Sequence, residues 1–295
     1  MEYEKIVVMG TGKIAISCLE ILLKKGVAAS ALSAVEYGAN SFSLSQIQKL
    51  CDRHVTQYHS CSKKADVKQY LQSIFSTALV VSVNNMYIFP VGICAKENID
   101  IVNCHSALLP KYPGINARTW TIFNDEKIGG ITWHYVDAGI DSGDIIAQST
   151  MELPDDVTAL KLMQKYMEIA KEKFDEIIED VLNKRANRTP QQNTPDRKIY
   201  MKDDLPNNGF INAHDDLSFS YRVLRSMDYG YSMLMPHVKI EYNNALYEIL
   251  SYKMDVSEAN ERKATFDENS GNLSISGNGS ILRLKLNPIV DKKVD

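Results

Sequence analysis

The sequence predicts an α/β protein: a Rossmann-like, mostly parallel sheet in an N-terminal domain, followed by a small β-barrel or sheet. Three observations carry this. Short apolar runs alternate with amphipathic helical patterns through residues 1–186, the signature of βαβ units. A glycine turn, Gly10-Thr11-Gly12, joins the first apolar run to the first helical pattern. After a polar, proline-bearing stretch from Asn187 to Asn208, the pattern changes to short strands separated by turn residues.

In order, Lys5–Met9 (KIVVM) reads as a buried strand and Lys13–Lys25 as an amphipathic helix ended by Gly26. Ala28–Val35 is a weaker second strand. Gln46–Arg53 and Val67–Ile74 each carry one apolar helical face. Ala78–Val83 (ALVVSV), Ile99–Val102 and Gly130–Tyr135 (GITWHY) are further strands. Asp155–Asn183 reads as one long helix, with Asp155 or Asp156 able to cap it and a core-facing stripe from Leu160 to Val181. The expected domains are 1–186, a linker over 187–208, and 209–295. In the last, Ser218–Met227 is a short helix. Strand-like runs follow at His237–Tyr242, Leu246–Met254, Asn272–Ser276 and Ser280–Leu286.

Composition is that of an ordinary globular protein, 44% hydrophobic and 24% charged, with a formal net charge of -4. That balance weighs against a general nucleic-acid binder. Five cysteines without CxxC spacing point to reduced thiols and a cytoplasmic location, not to a disulfide framework or a zinc site. No metal is expected. MEYEKIVVMG is too short and too charged for a signal peptide, and no apolar run approaches a membrane span.

The densest chemistry lies between Asn103 and Asp144. Asn103 and His105 follow directly on a strand's carboxyl end, where open α/β sheets bind ligands. Asp141 and Asp144 sit in a Gly-Ile-Asp-Ser-Gly-Asp turn. Asparagine offers an amide donor for an oxyanion, histidine is the usual general acid or base near neutral pH, and aspartate can orient an imidazole. Together they suit acyl transfer without a covalent enzyme intermediate. Taken singly, each has a plainer reading: a structural histidine, or aspartates that merely form a turn. A rival motif, Gly10-Thr11-Gly12-Lys13-Ile14-Ala15 with Glu36 after it, fits a dinucleotide fingerprint, although any α/β sheet needs a glycine turn after its first strand.

The residues Asn103-x-His105, Ser106-Ala107-Leu108-Leu109-Pro110, Gly114, Gly130-Ile131-Thr132 and Asp141-Ser142-Gly143-Asp144 resemble the folate-dependent formyltransferases. Those include the glycinamide ribonucleotide, methionyl-tRNA and amino-sugar enzymes. The opening VVMGTGKIAISCLEILL and the tail GSILRLKLNPIVDKK resemble the two-domain methionyl-tRNA and sugar branch, which implies a small OB-like β-barrel as the C-terminal domain. The resemblance implies 10-formyltetrahydrofolate as donor and a primary amine as acceptor. Asn103 would stabilise the oxyanion, His105 would assist proton removal or stabilise charge, and Asp141 would hold His105. The pterin would meet Met86, Tyr87 and Ile88 on one loop, and Val136, Asp137, Gly139, Ile140 and Asp144 on the other. The acceptor would meet Gly10, Thr11, Lys13, Leu109, Pro110 and Gly114.

Departures from that pattern bear on the acceptor. Val35–Gln46 has no Lys or Arg where the tRNA enzymes carry a basic loop. Pro206–Asp295 holds 10 Lys and Arg against 12 Asp and Glu, so it offers no net positive charge to a phosphate backbone. The cations Lys184, Arg185, Arg188, Arg197 and Lys198 are expected to be a solvated face. Ile115 stands where the aminoarabinose branch has an arginine, while GINARTW and GITWHYVD resemble formyltransferases of peptide assembly. The expectation is a small amine, either a nucleotide-linked amino sugar or an amino-acid or peptide natural-product precursor. Methionyl-tRNA formylation is the first alternative and an inactive binding protein of the same fold the second. Homodimerisation is left open.

Overall fold

The computed structural model describes residues 1–37, 45–192, 197–231 and 234–289. Two compact units emerge from its packing. The first holds Met1–Ala117, Ile128–Glu152 and Gln164–Tyr200; the second holds Arg118–Lys127, Leu153–Met163 and the chain from Met201 onward. Of the residues read from the sequence as linker, 187–192 and 197–200 cluster with the first unit.

The first unit's strands are β1 (Lys5–Gly10), β2 (Leu32–Tyr37), β3 (Gln57–Cys61), β4 (Ala78–Val83), β5 (Ile99–His105), β6 (Ile128–Tyr135) and β7 (Ile145–Glu152). They form one sheet in the order β3-β2-β1-β4-β5-β6-β7. The first five run parallel, while β6 is antiparallel to β5 and to β7. Helices α1 (Gly12–Lys24), α2 (Gln46–His54), α3 (Lys64–Gln72) and the short α4 (Val91–Cys94) make the crossovers. β1 and β4 are buried on both faces, which is why they read as continuous apolar runs. Val7, Met9, Val80 and Ile101 pack with Val67 and Leu71 of α3 in one core cluster.

Several elements differ from the sequence expectation. β2 begins at Leu32, because Ala29–Ala31 close a 3-10 turn and lack branched side chains to favour a strand. β3 and β7 were not expected: they are edge strands, so their polar residues sit where water rather than a neighbour covers them. The long helix, α6 (Ala159–Leu182), starts later than Asp155. Asp155 pairs with Lys127 instead of capping, and Thr158 accepts from the Lys161 N–H. Helix α6 seats Phe174 against Trp133 of β6, and Trp133 Nε1 donates to the Ala170 carbonyl at 3.1 Å.

The second unit contains α7 (Leu217–Met227) and strands β8 (Phe210–Asn212), β9 (Lys239–Tyr242), β10 (Ala245–Val256), β11 (Lys263–Asp267), β12 (Asn272–Gly277) and β13 (Ser280–Pro288). Helix α5 (Ala117–Phe123) contributes Phe123 to the same side-chain cluster. The six strands form a sheet in the order β11-β12-β13-β10-β9-β8. Its core joins Val223 and Leu224 of α7 to Leu273, Leu282 and Leu284 of the sheet. The expected small β domain is therefore present as a six-stranded sheet with two ends among the described residues. Asp216 caps α7 by accepting from the Phe219 N–H at 3.0 Å. Among the described residues no helix is long and apolar enough to cross a membrane. Of the stretch Val35–Gln46, residues 38–44 lie outside the described set.

Candidate active site

β5 ends the parallel run of the sheet, and its last residues carry the site. Asn103 pairs with Ser82 of β4 on one side and with His134 of β6 on the other. Directly opposed residues on one face of an antiparallel pair are close enough for their side chains to meet. Asn103 Nδ2 donates to His134 Nε2 at 3.1 Å, and His134 Nδ1 lies 2.7 Å from the Tyr135 carbonyl. A carbonyl can only accept, so Nδ1 carries the proton and the Nε2 lone pair receives the amide. His134 is almost fully buried. It pins one amide hydrogen of Asn103, and the other has no protein partner among the described residues.

Beyond β6 the chain makes a tight turn that returns Asp141 to His105. Asp137 Oδ1 accepts from the Gly139 N–H at 3.0 Å and from Ser142 Oγ at 2.7 Å. The Asp144 carbonyl accepts from the Tyr135 N–H at 2.8 Å. A β-carbon on Gly143 would lie 2.0 Å from the Tyr135 carbonyl oxygen, so only glycine lets the turn close. Asp141 itself sits in the left-handed region, at φ 50°.

Asp141 Oδ2 faces His105 Nδ1 at 3.3 Å and accepts from the Gly114 N–H at 2.7 Å, while Oδ1 is 3.6 Å from His134 Nε2. His105 Nε2 is 2.8 Å from the Tyr112 carbonyl. With an acceptor at each ring nitrogen, His105 is fully satisfied as the imidazolium. Burial pushes the Asp141 carboxyl up, but the neighbouring His105 and the Gly114 N–H hold that carboxyl well below its usual range. The set therefore supplies an oriented amide donor, a carboxylate that stays ionised, and an imidazole coupled to it.

Asn103, His105 and Asp141, expected from the sequence, are thus brought into one constellation. Thr132 steadies the neighbouring loop. This fully buried side chain donates to the Ala107 carbonyl and accepts from the Leu109 N–H and Gln148 Nε2. The Leu109 carbonyl accepts from Gln148 as well, which fixes the segment leading to Pro110. Thr132→Val would orphan these groups, and a loss of about 1–3 kcal/mol of stability is expected. Chemical denaturation should show it as a lowered midpoint, with Thr132→Ser closer to wild type.

The other expected contacts fall into two groups. Met86 and Ile88 are exposed, and Val136, Asp137, Gly139, Ile140 and Asp144 belong to the Asp141 turn. Tyr87 instead packs inward against Phe89 and Tyr37, leaving only its main chain to a ligand. Near the first glycine turn, Thr11 exchanges hydrogen bonds with Asn84, and Lys13 is exposed. The dinucleotide-like features have structural jobs. A β-carbon on Gly10 would lie 1.9 Å from the Val83 carbonyl oxygen, and buried Glu36 accepts from Tyr58 Oη at 2.6 Å. His134 escaped the sequence reading. The signal was its place in GITWHY, but only the antiparallel register opposite Asn103 gives it meaning.

A parallel sheet with an amide donor, two histidines and a buried carboxylate at the end of β5 defines an acyl- or one-carbon-transfer enzyme. The comparisons narrow that class: residues 5–178 match the formyl transferase family, more than half of the chain, and the chain belongs to that family. It is 26% identical over 298 residues to a methionyl-tRNA formyltransferase of Clostridioides difficile, covering 98% of this chain and 93% of the relative. Its fold is similar to that of an N-formyltransferase from Helicobacter canadensis, solved with folinic acid and dTDP-3-aminofucose. There the TM-score is 0.73 at 20% identity, over 96% of this chain and 99% of the other. A sugar 3N-formyl transferase solved with dTDP and 5-N-formyl-THF gives a TM-score of 0.68 at 20% identity, over 98% and 100% of the two chains.

Proposed function

We propose that this formyltransferase moves a formyl group from 10-formyltetrahydrofolate to the primary amine of a small molecule, a nucleotide-linked amino sugar being the leading class. The observation that carries the chemistry is the connected set Asn103, His134, His105 and Asp141 at the end of β5. Exposed apolar Met86 and Ile88 and the main chain of the Val136–Asp141 turn suit a flat heterocycle with polar edges. The donor, when bound, supplies an activated formyl group.

The chain's own residues do the rest. Asn103, held by His134, offers its remaining amide hydrogen to an oxygen that gains negative charge. Ionised Asp141 keeps His105 oriented and stabilises its cationic form. His105 so held stabilises developing negative charge, and in its neutral form it takes the amine's proton and returns it to the nitrogen from which the formyl group departs. Leu109, Pro110 and Gly114, with Gly10, Thr11 and Lys13, are the proposed acceptor contacts.

Two features support a small acceptor: the absence of Lys and Arg from Val35–Gln46 and the slightly acidic balance of Pro206–Asp295. The full-length similarity to enzymes solved with sugar nucleotides or dTDP adds to this. Methionyl-tRNA is the second reading, favoured by the name of the full-length Clostridioides relative. An assay with 10-formyltetrahydrofolate and a panel of amines, following tetrahydrofolate release, separates them. Turnover with nucleotide-linked amino sugars or other small amines is expected. Turnover confined to aminoacylated initiator tRNA would overturn the small-acceptor reading. Folate binding without turnover on any amine would indicate an idle binder.

A further inference from the structure

The segment after α6 is more than a surface connection. It pairs with the sheet through mutual N–H···O bonds between Ile145 and Thr189, at 2.8 and 3.0 Å. Gln191 Nε2 then donates to the carbonyls of Asp141 and Gly143, at 2.9 and 2.7 Å. Arg197 Nη2 donates to the carbonyls of Ile140 and Asp141, at 2.5 and 3.1 Å. Three residues on, the Tyr200 N–H donates to the Pro113 carbonyl, and the Tyr200 carbonyl accepts from the Ile115 N–H. Arg197 is therefore not the solvated cation that the sequence suggested: its guanidinium shares the Asp141 carbonyl with Gln191 and reaches the Ile140 carbonyl as well.

The targets of these bonds are specific. Pro113–Ile115 flanks Gly114, whose N–H binds Asp141, and lies beside Tyr112, whose carbonyl binds His105. Ile140, Asp141 and Gly143 are the turn that carries the carboxylate. Asp141 is held at a positive φ that a non-glycine residue adopts at an energetic cost, and such a conformation persists only where the surroundings over-determine it. Gln191 and Arg197 supply that determination, with two donors converging on the Asp141 carbonyl itself. Both amide hydrogens of Gln191 are committed to carbonyls, while its Oε1 is buried with no hydrogen-bond partner among the described residues. A buried acceptor left so is destabilising, which marks the side chain as kept for its donors.

We propose that Gln191 and Arg197 are positioning residues of the formyl transfer, setting the distance between Asp141 and His105 by clamping the main chain of the Asp141 turn. This rests on the reading of Asp141 and His105 as catalytic. Arg197 acts on the carboxylate through the backbone of a turn that is also proposed to meet the donor, so its removal should lower kcat, and its coupling to Asp141 is the readout that separates positioning from donor binding.

The test is a double-mutant cycle in the full chain with the acceptor that turns over. Arg197→Met is expected to lower kcat at saturating donor by about ten- to a hundredfold. Arg197→Lys, which keeps donors for the two carbonyls, should recover much of that loss, and added guanidinium ion should partly rescue Arg197→Met. Gln191→Leu should act in the same direction with a smaller loss. In the Asp141→Asn background, Arg197→Met should change kcat by less than about twofold, because a group acting through Asp141 has nothing left to position. Equal losses in both backgrounds, or wild-type kcat for Arg197→Met beside a crippled Asp141→Asn, would overturn this inference alone. Wild-type kcat for Asp141→Asn would remove the catalytic reading, and the clamp's role with it.

Discussion

Asp141→Asn is expected to lower kcat by at least about a hundredfold, the usual scale for removing the group that orients a catalytic imidazole. The substitution is nearly isosteric. Its oxygen can still accept from the Gly114 N–H, so the turn should close and the protein should fold. What it loses is the charge. A neutral amide cannot hold His105 as the imidazolium that acceptors at both ring nitrogens call for. Single-turnover measurement of tetrahydrofolate release would check this, and a wild-type rate would sink the assignment.

The same carboxylate has a thermodynamic signature. Its folded pKa lies below the ordinary 3.8, because burial, which raises it, is outweighed by His105 and the Gly114 N–H. The sign follows from linkage: the unfolded state binds the proton more readily, so the contribution is fully present above about pH 4 and fades as the pH falls toward the folded value. Asp141→Asn lacks this contribution at every pH. Urea unfolding of the two proteins should therefore show a stability gap at pH 7 that narrows below pH 4. A gap that widens on acidification would contradict the ion-pair account.

Asn103→Ala should lower kcat by about a hundred- to a thousandfold with little change in KM, as when a single oxyanion donor is removed. The physical ground is preorganisation. His134 already binds one amide hydrogen, so the orientation of the other is set before substrate arrives. Asn103→Asp should be at least as impaired, since a carboxylate has no hydrogen to donate to the oxyanion. Steady-state kinetics with saturating donor and acceptor would measure both. A loss seen only in KM would make Asn103 a binding residue and not a stabiliser of charge.

The framework was readable in the chain because it follows from local pattern. β1 and β4 are apolar throughout, and α1 and α6 carry one apolar face, so their identity did not depend on distant residues. Asn103 and His105 were readable for the same reason: a strand that ends in Asn-x-His delivers both to the ligand-binding end of a parallel sheet. Asp141 needed the spacing of a motif as well, since a turn aspartate alone says little.

The rest was decided in three dimensions. His134 matters because β6 runs antiparallel to β5 in a register that opposes it to Asn103, and a slip of one residue would turn it to the other face. Edge strands β3 and β7 carry polar residues that mask their period. Gln191 and Arg197 lie in a stretch without periodicity, about fifty residues beyond the turn they hold. No local rule could link them, because hydrogen bonds from side chains to distant carbonyls are set by the path of the chain. The sequence by itself determined a mostly parallel α/β sheet, a smaller β unit, and the three side chains, Asn103, His105 and Asp141, that the fold gathers at one strand end. Only the tertiary structure decided which neighbours hold those three groups in place, because strand register and loop path are sums of many weak contacts that no short motif records.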